Sequence, residues 1–327
     1  MKNFNIVAIG GGTGSFVVLR GLKNYPVSLT GVINVTDSGG STGRLRSEFG
    51  FLPVGDLRQG LAALANDEDE TLLKLLTYRF NRGRGLAGHS LGNIILTALR
   101  DLYGSEPRAL EKAAEVFRIS GKILPVSLSQ AALGAIYENG RRVIGEHSID
   151  QPKFGGGIKI KELFLKPEIK AYYKVLEAIR RADLVVLGPG DIYTSTVPCL
   201  LVEGVSEAIK KSKAKLCYVV NLVNRYSQTY RFTCADYLDE IYRHVGRAPD
   251  VAILSTSRIP KNIIDAYSKE KSLQPIDNIR ETNRLTIIRG DFAKRSLIRK
   301  ASGDATQRSF FRHDEDKLAR ALIKILL

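Results

Sequence analysis

Apolar residues along this chain fall into two recurring patterns. Short runs rich in β-branched residues, such as "NIVAIG" at 5–10 and "DLVVLG" at 183–188, have almost no polar interruptions and read as strands buried on both faces. Between such runs, segments such as "SFVVLRGLKNY" at 15–25 and "EDKLARALIKILL" at 315–327 repeat apolar positions at helical spacing. A mostly parallel sheet covered by helices on both faces satisfies both patterns, so the expected class is α/β.

The same reading orders the elements. "SLTGVINVT" at 28–36 is the second strand, and a helix-rich stretch at about 56–119 follows without an intervening strand, as an insertion folded onto the sheet would. "KILPVSL" at 122–128 returns to strand, and a β-hairpin is expected at about 131–149, turning at Asn139 and Gly140. "IKIKELFL" at 158–165 is a strand, 171–182 a helix, and another helix starts near 197. Strands "KLCYVVNL", "VAILST" and "RLTIIR" precede the closing helix. With no internal repeat or low-complexity linker, residues 1–327 read as a single domain.

Composition narrows the setting. A hydrophobic content of 44% suits a globular core, no apolar run reaches membrane-spanning length, and the N-terminus lacks the apolar stretch of a signal peptide, so a cytoplasmic protein is expected. Cys199, Cys217 and Cys234 show neither metal-ligand nor disulfide spacing and read as buried reduced thiols. Forty-nine Lys and Arg against 34 acids give a formal charge of +15, which favours anionic partners. The basic residues are scattered, and no stripe interleaved with aromatics or nucleic-acid module is visible. A phosphorylated small ligand or an anionic protein surface therefore ranks above nucleic acid.

Candidate chemistry sits at the strand ends. "IGGGTGSF" puts Gly10, Gly11, Gly12 and Gly14 between the first strand and its helix, where backbone N–H groups and the positive end of the helix dipole can hold phosphate. The spacing is neither the dinucleotide fingerprint nor a Walker loop, and for this loop alone a plain strand-to-helix turn remains open. "TDSGGSTGR" after the second strand adds Asp37, Gly39, Gly40, the hydroxyls of Ser38, Ser41 and Thr42, and Arg44. Asp37 suits a ribose or sugar hydroxyl, or Mg²⁺, and is the candidate metal contact. A third such loop, "LGPGDIYTS" at 187–195, brings Asp191, Tyr193, Thr194 and Ser195 to the same rim. Asp56 and Arg58 of "GDLR" divide between helix-cap and phosphate roles, and His89 reads as structural.

These segments, with "GDLRQGLAAL", "GHSLGNIILTAL", "GKILP" and the terminal "RHDEDKLA", resemble in order the YvcK-like gluconeogenesis factors of the CofD (2-phospho-L-lactate transferase) superfamily over nearly the whole chain. The resemblance implies a Rossmann-like, doubly wound fold and binding of UDP-sugars such as UDP-N-acetylglucosamine. It also implies a regulatory role in central carbon metabolism and in cell shape and wall synthesis, with no required cofactor and no established catalysis. By the same resemblance Gly11, Gly12, Thr13 and Gly14 cradle the ligand, and Asp37, Gly39, Gly40 and Ser41 form a second wall. Asn93, Gly188 and Tyr193 complete the rim, while Tyr267 and Arg312 match positions implicated in nucleotide-sugar binding.

Two departures stand out. The family's Asp-Asp-Gly-Gly loop is Asp37-Ser38-Gly39-Gly40 here, and Asp191 stands where Ser is usual, which suggests a carboxylate moved across the crevice. The family's Thr-Gln-Pro-Gly-Glu-Thr is "NRYSQT" at 224–229, a change expected to alter sugar selectivity. The competing reading is a CofD-type Mg²⁺-dependent transferase joining a nucleotide and a phosphorylated three-carbon acid; a protein partner in cell-wall or carbon metabolism and a homo-oligomer are further expectations.

Overall fold

The computed structural model describes residues 3–66, 70–259, 273–294 and 311–327. Its strands are β1 (Phe4–Gly10), β2 (Val27–Ile33), β3 (Lys122–Pro125), β4 (Ala132–Tyr137), β5 (Arg142–Ile144), β6 (Ile160–Lys166), β7 (Leu184–Leu187), β8 (Lys215–Val219), β9 (Val251–Ser255) and β10 (Thr286–Gly290). The helices of the first half are α1 (Gly12–Leu22), α2 (Gly40–Phe49), α3 (Val54–Leu64), α4 (Glu70–Thr77), α5 (Leu91–Tyr103), α6 (Glu106–Val116) and α7 (Glu146–Asp150). Then come α8 (Tyr173–Arg181), a π turn at Ile192–Thr196 that runs into α9 (Val197–Leu200), α10 (Val205–Lys211), α11 (Cys234–Val245) and α12 (Glu315–Leu326).

Seven strands form one parallel sheet in the order β10-β9-β8-β7-β1-β2-β3. Alternate side chains along each strand point to opposite faces, so every strand feeds two cores. Val7 and Ile9 of β1 and Val185 and Leu187 of β7 face one core, while Ile6, Ala8, Leu184 and Val186 face the other. The first core is closed by residues of α8 to α11, such as Ile179, Cys199, Ile209 and Tyr237, together with β4 and β6. The second is closed by α1, α3, α6 and α12 through Leu19, Leu61, Leu110 and Leu322. This is the doubly wound α/β class the pattern predicts.

Local departures have local causes. The hairpin expected to 149 stops at Ile144, because Gly145 (φ +102°) turns the chain into α7; β6 then pairs with β4, making a separate antiparallel sheet in the order β5-β4-β6. The Ser/Gly-rich stretch read as a loop becomes helix α2 from Gly40, a segment whose small polar residues carry little helical signature. Cys199, Cys217 and Cys234 are free and buried. No helix among the described residues is long and apolar enough to cross a membrane.

From β1 the chain winds through β2 to β3 on one side, and later strands build from β7 on the other. The reversal leaves a crevice beyond the carboxyl ends of β1 and β7. There α1 touches the loop after β7 so closely that a Cβ on Gly14 would collide with the Pro189 carbonyl oxygen. Gly14→Ala should therefore cost about 1–3 kcal/mol, read as a lower urea midpoint at unchanged m value.

Candidate functional site

The crevice starts from the N-termini of α1 and α2, with the first turn of α3 against both: Gly55 abuts Asp37 and Thr42, and Asp56 abuts Gly11 and Gly12. α1 is preceded by Gly11 and α2 by Gly39, both extended, and neither N-cap residue carries a side chain to cap its helix. β1 and β2 pair in register from Phe4–Val27 to Gly10–Ile33, so the loops that lead into the two helices leave the sheet at the same level. Their first-turn N–H groups and dipoles favour an anion between them. Gly40 lies exposed at φ +47° with open space where a side chain would project, so the second loop presents bare backbone.

Asn34, which pattern reading passes over, fastens the three loops together. Its backbone N–H donates to Gly10 O (3.0 Å) and its amide Nδ2 to Thr194 O (3.1 Å), while its Oδ1 accepts from Thr36 N and Thr36 Oγ1, both at 3.1 Å. Asn221 Nδ2 holds the third loop from the β8 side by donating to Gly190 O at 2.8 Å. Gly188 (φ +76°) makes the turn that brings this loop under β8. Loops one, two and three thus converge on one rim.

Beneath the second loop runs a buried polar network. Asn93 Nδ2 donates to Ser41 Oγ (3.2 Å), Ser41 Oγ meets His89 Nδ1 (3.1 Å), and Arg58 Nε donates to Asn93 Oδ1 (2.8 Å). Burial, then the charge of Arg44, lowers the His89 pKa and so favours the neutral ring. Asn93 and Ser41 therefore hold α2 to α5, and Arg58 is a buried brace. Asp56 is not a helix cap: α3 begins at Val54 after Pro53, and the Asp56 carboxylate lies against Gly11 and Gly12.

Carboxylates stand beside these N-termini. Asp37 accepts from Gly39 N–H at 2.8 Å and from the Thr42 hydroxyl, and burial raises its pKa against the opposing influence of these bonds and of Arg46 and Arg58. Glu146 and Asp150, at the two ends of α7, complete the group; their contribution rests on a short helix that periodicity merged into a strand. Burial, then the charges of Asp37, Asp150, Asp56 and Asp191, pushes Glu146 well up, and its Oε2 is buried without a hydrogen-bond partner. Burial, then Asp191, pushes Asp150 up to about 7. Among the described residues no three or more His, Cys, Asp or Glu stand close enough to hold a metal ion, so these residues do not fit a protein-built Mg²⁺ cage.

Three remaining positions fare differently. Asp191 lies on the crevice wall, but its Oδ1 accepts from Arg225 Nε at 2.8 Å, so the two departures read from the sequence meet in one ion pair. Tyr193, expected as a rim contact, packs its ring edge-on to Phe232 beside Glu240 of α11, and only 2% of it is exposed. A ring that size behind the π turn belongs to the core. The Arg312 carbonyl accepts from Lys294 N–H, and neighbouring Phe311 packs on Leu222 beyond β8. Thr13 lies in the first turn of α1, and Tyr267 falls outside the described residues.

The family described as 2-phospho-L-lactate transferase CofD has a model that matches residues 6–293. The chain is 44% identical over 276 residues to the gluconeogenesis factor of Halalkalibacterium halodurans, covering 83% of this chain and 84% of that one. It is 37% identical over 326 residues to the gluconeogenesis factor of Bacillus subtilis, covering 98% of each. The chain belongs to the gluconeogenesis-factor branch of the CofD family. A crystal structure of an upf0052 family member from Bacillus halodurans matches with a TM-score of 0.87 at 37% identity over 99% of both chains. In this gluconeogenesis-factor homologue the glycine loops, the Ser41–Asn93 network and the acid wall thus occupy a fold shared along its whole length.

Two outcomes follow. Asn34→Ala keeps the backbone bond to Gly10 but leaves buried partners unmatched at Thr36 in the second loop and Thr194 in the third, and should cost about 2–4 kcal/mol in chemical denaturation. Folded Asp150 keeps a proton to about pH 7, whereas the unfolded side chain loses it near pH 4, so this residue's stability contribution falls as pH rises between those values. Thermal melts of Asp150→Asn should gain on the wild type from pH 4 to pH 8, by about 3–6 °C.

Proposed function

We propose that the crevice binds a UDP-sugar such as UDP-N-acetylglucosamine and that the protein is a cytoplasmic regulator linking this ligand to central carbon metabolism and cell-wall synthesis. The single observation that carries the reading is that two helix N-termini with glycine N-caps, α1 and α2, follow the adjacent strands β1 and β2 at the rim where the winding reverses. The diphosphate lies across the first turns of α1 and α2, with Gly11, Gly12, Thr13 and Gly14 on one side and Gly39, Gly40 and Ser41 on the other. Arg312 takes a phosphate oxygen or the nucleoside from the β8 side, and Tyr267 stacks on the base. The carboxylates on α7 and Asp37 suit the hydroxyl groups of a sugar, which donate hydrogen bonds without requiring charge. The relatives' name, gluconeogenesis factor, supports the regulatory part.

A transferase of the CofD type is the second reading, favoured by the carboxylates Asp37, Asp56, Glu146, Asp150 and Asp191 that act on one another electrostatically across the crevice. Mass spectrometry of product from GTP with phospholactate or phosphoenolpyruvate and Mg²⁺ tests it; product at enzymatic turnover would replace the regulator reading. For the first reading, UDP-N-acetylglucosamine should raise the thermal midpoint and bind saturably in calorimetry without being consumed. Arg312→Ala should weaken that binding about tenfold or more; an unchanged midpoint with every UDP-sugar tried would refute it.

A further inference from the structure

We propose that Arg225 is a phosphate-binding group of the crevice, held by Asp191 until an anionic ligand takes its place. The identity of the anion rests on the nucleotide-sugar reading above; the geometry stands by itself. Arg225 Nε donates to Asp191 Oδ1 at 2.8 Å, and each side chain keeps 23% of its surface exposed, so the pair lies at the crevice surface. Asp191 follows Gly190, and Gly190 packs against Gly14 in the first turn of α1. The amides that open α1 and the ion pair therefore share one wall.

Charge balance requires such a group. A diphosphate entering this crevice meets Asp37, Asp56, Glu146, Asp150 and Asp191, whose fields reach one another. Arg46 and Arg58 act on Asp37 by charge while also donating to neutral acceptors, Arg58 to Asn93 and to Leu76 O and Arg46 to Gln130 and to Ala131 O, and Arg44 donates to Ala87 O. Arg225 has a carboxylate partner, and phosphate offers a guanidinium the same paired-oxygen geometry with more charge. The neighbouring contacts keep the segment in place during the exchange: Arg225 N–H donates to Thr229 Oγ1 at 2.9 Å, and Gln228 donates to Asp150. Arg225 can thus move from one acceptor to the other by side-chain rotation.

The consequence is that two members of one ion pair act on affinity in opposite directions. Calorimetry with UDP-N-acetylglucosamine, UDP and inorganic pyrophosphate on the full chain tests this. Asp191→Asn removes the competing acceptor and a repelling charge, and should tighten binding about threefold or more. Arg225→Gln should weaken it about tenfold or more and flatten its salt dependence, with Arg225→Lys in between. A purely structural pair would instead lower the thermal midpoint in both variants and move affinity the same way. Parallel affinity changes in the two variants, or wild-type affinity in folded Arg225→Gln, overturn the proposal; should Arg225→Gln not fold, Asp191→Asn and Arg225→Lys decide it. Wild-type protein that binds pyrophosphate but neither nucleotide sinks the nucleotide-sugar reading while these variants still judge Arg225. Binding of none of the three probes sinks both.

Discussion

One buried amide holds the functional end of this molecule in register. Asn34 sits where β2 ends, and its hydrogen bonds reach the last residue of β1, the turn after β7 and the chain leading into α2. Each of these is a loop at the carboxyl edge of a parallel sheet, where backbone groups leave the ladder and need new partners. An apolar residue there would leave buried donors and acceptors unmatched. Asn34 satisfies them with its backbone N–H and its side chain together, and so fixes the three loops that frame the crevice relative to one another.

The rest of the site follows from what surrounds the latch. Small residues let the pieces come close: at Gly14, contact with Pro189 brings the third loop onto α1. The second loop is stiffened from below by Ser41, His89, Asn93 and Arg58, which join α2, α3 and α5 into one body. The crevice is consequently polarised. Glycine-opened helix N-termini attract anions, the carboxylates of Asp37, Asp56 and α7 oppose them, and the third loop carries the Asp191–Arg225 pair. Keeping Glu146 and Asp150 buried near other acids raises their pKa values and costs stability at neutral pH, a burden expected of groups kept for binding.

The net charge of +15 acts at a different level. It draws anions toward the molecule, but the described crevice is lined by acids, so selection among anions falls to amide geometry and to individual guanidinium groups.

What the sequence by itself determined is the class of fold and the location of its loops. Unbroken apolar runs such as "LVVL" are buried on both faces in β7, and the glycine loops fall at strand ends, because these signals depend on neighbours within a few residues. The family assignment was legible for the same reason, being carried by contiguous motifs. Only the tertiary structure decided which polar residues face the crevice. Tyr193 turned into the core because Phe232 and Glu240, far along the chain, receive it. Glu146 and Asp150 arrived on a short helix hidden behind a hairpin signal, and Asp191 found Arg225 across a loop contact. Pairings at such sequence separations are set by how the layers pack, and no local pattern records them.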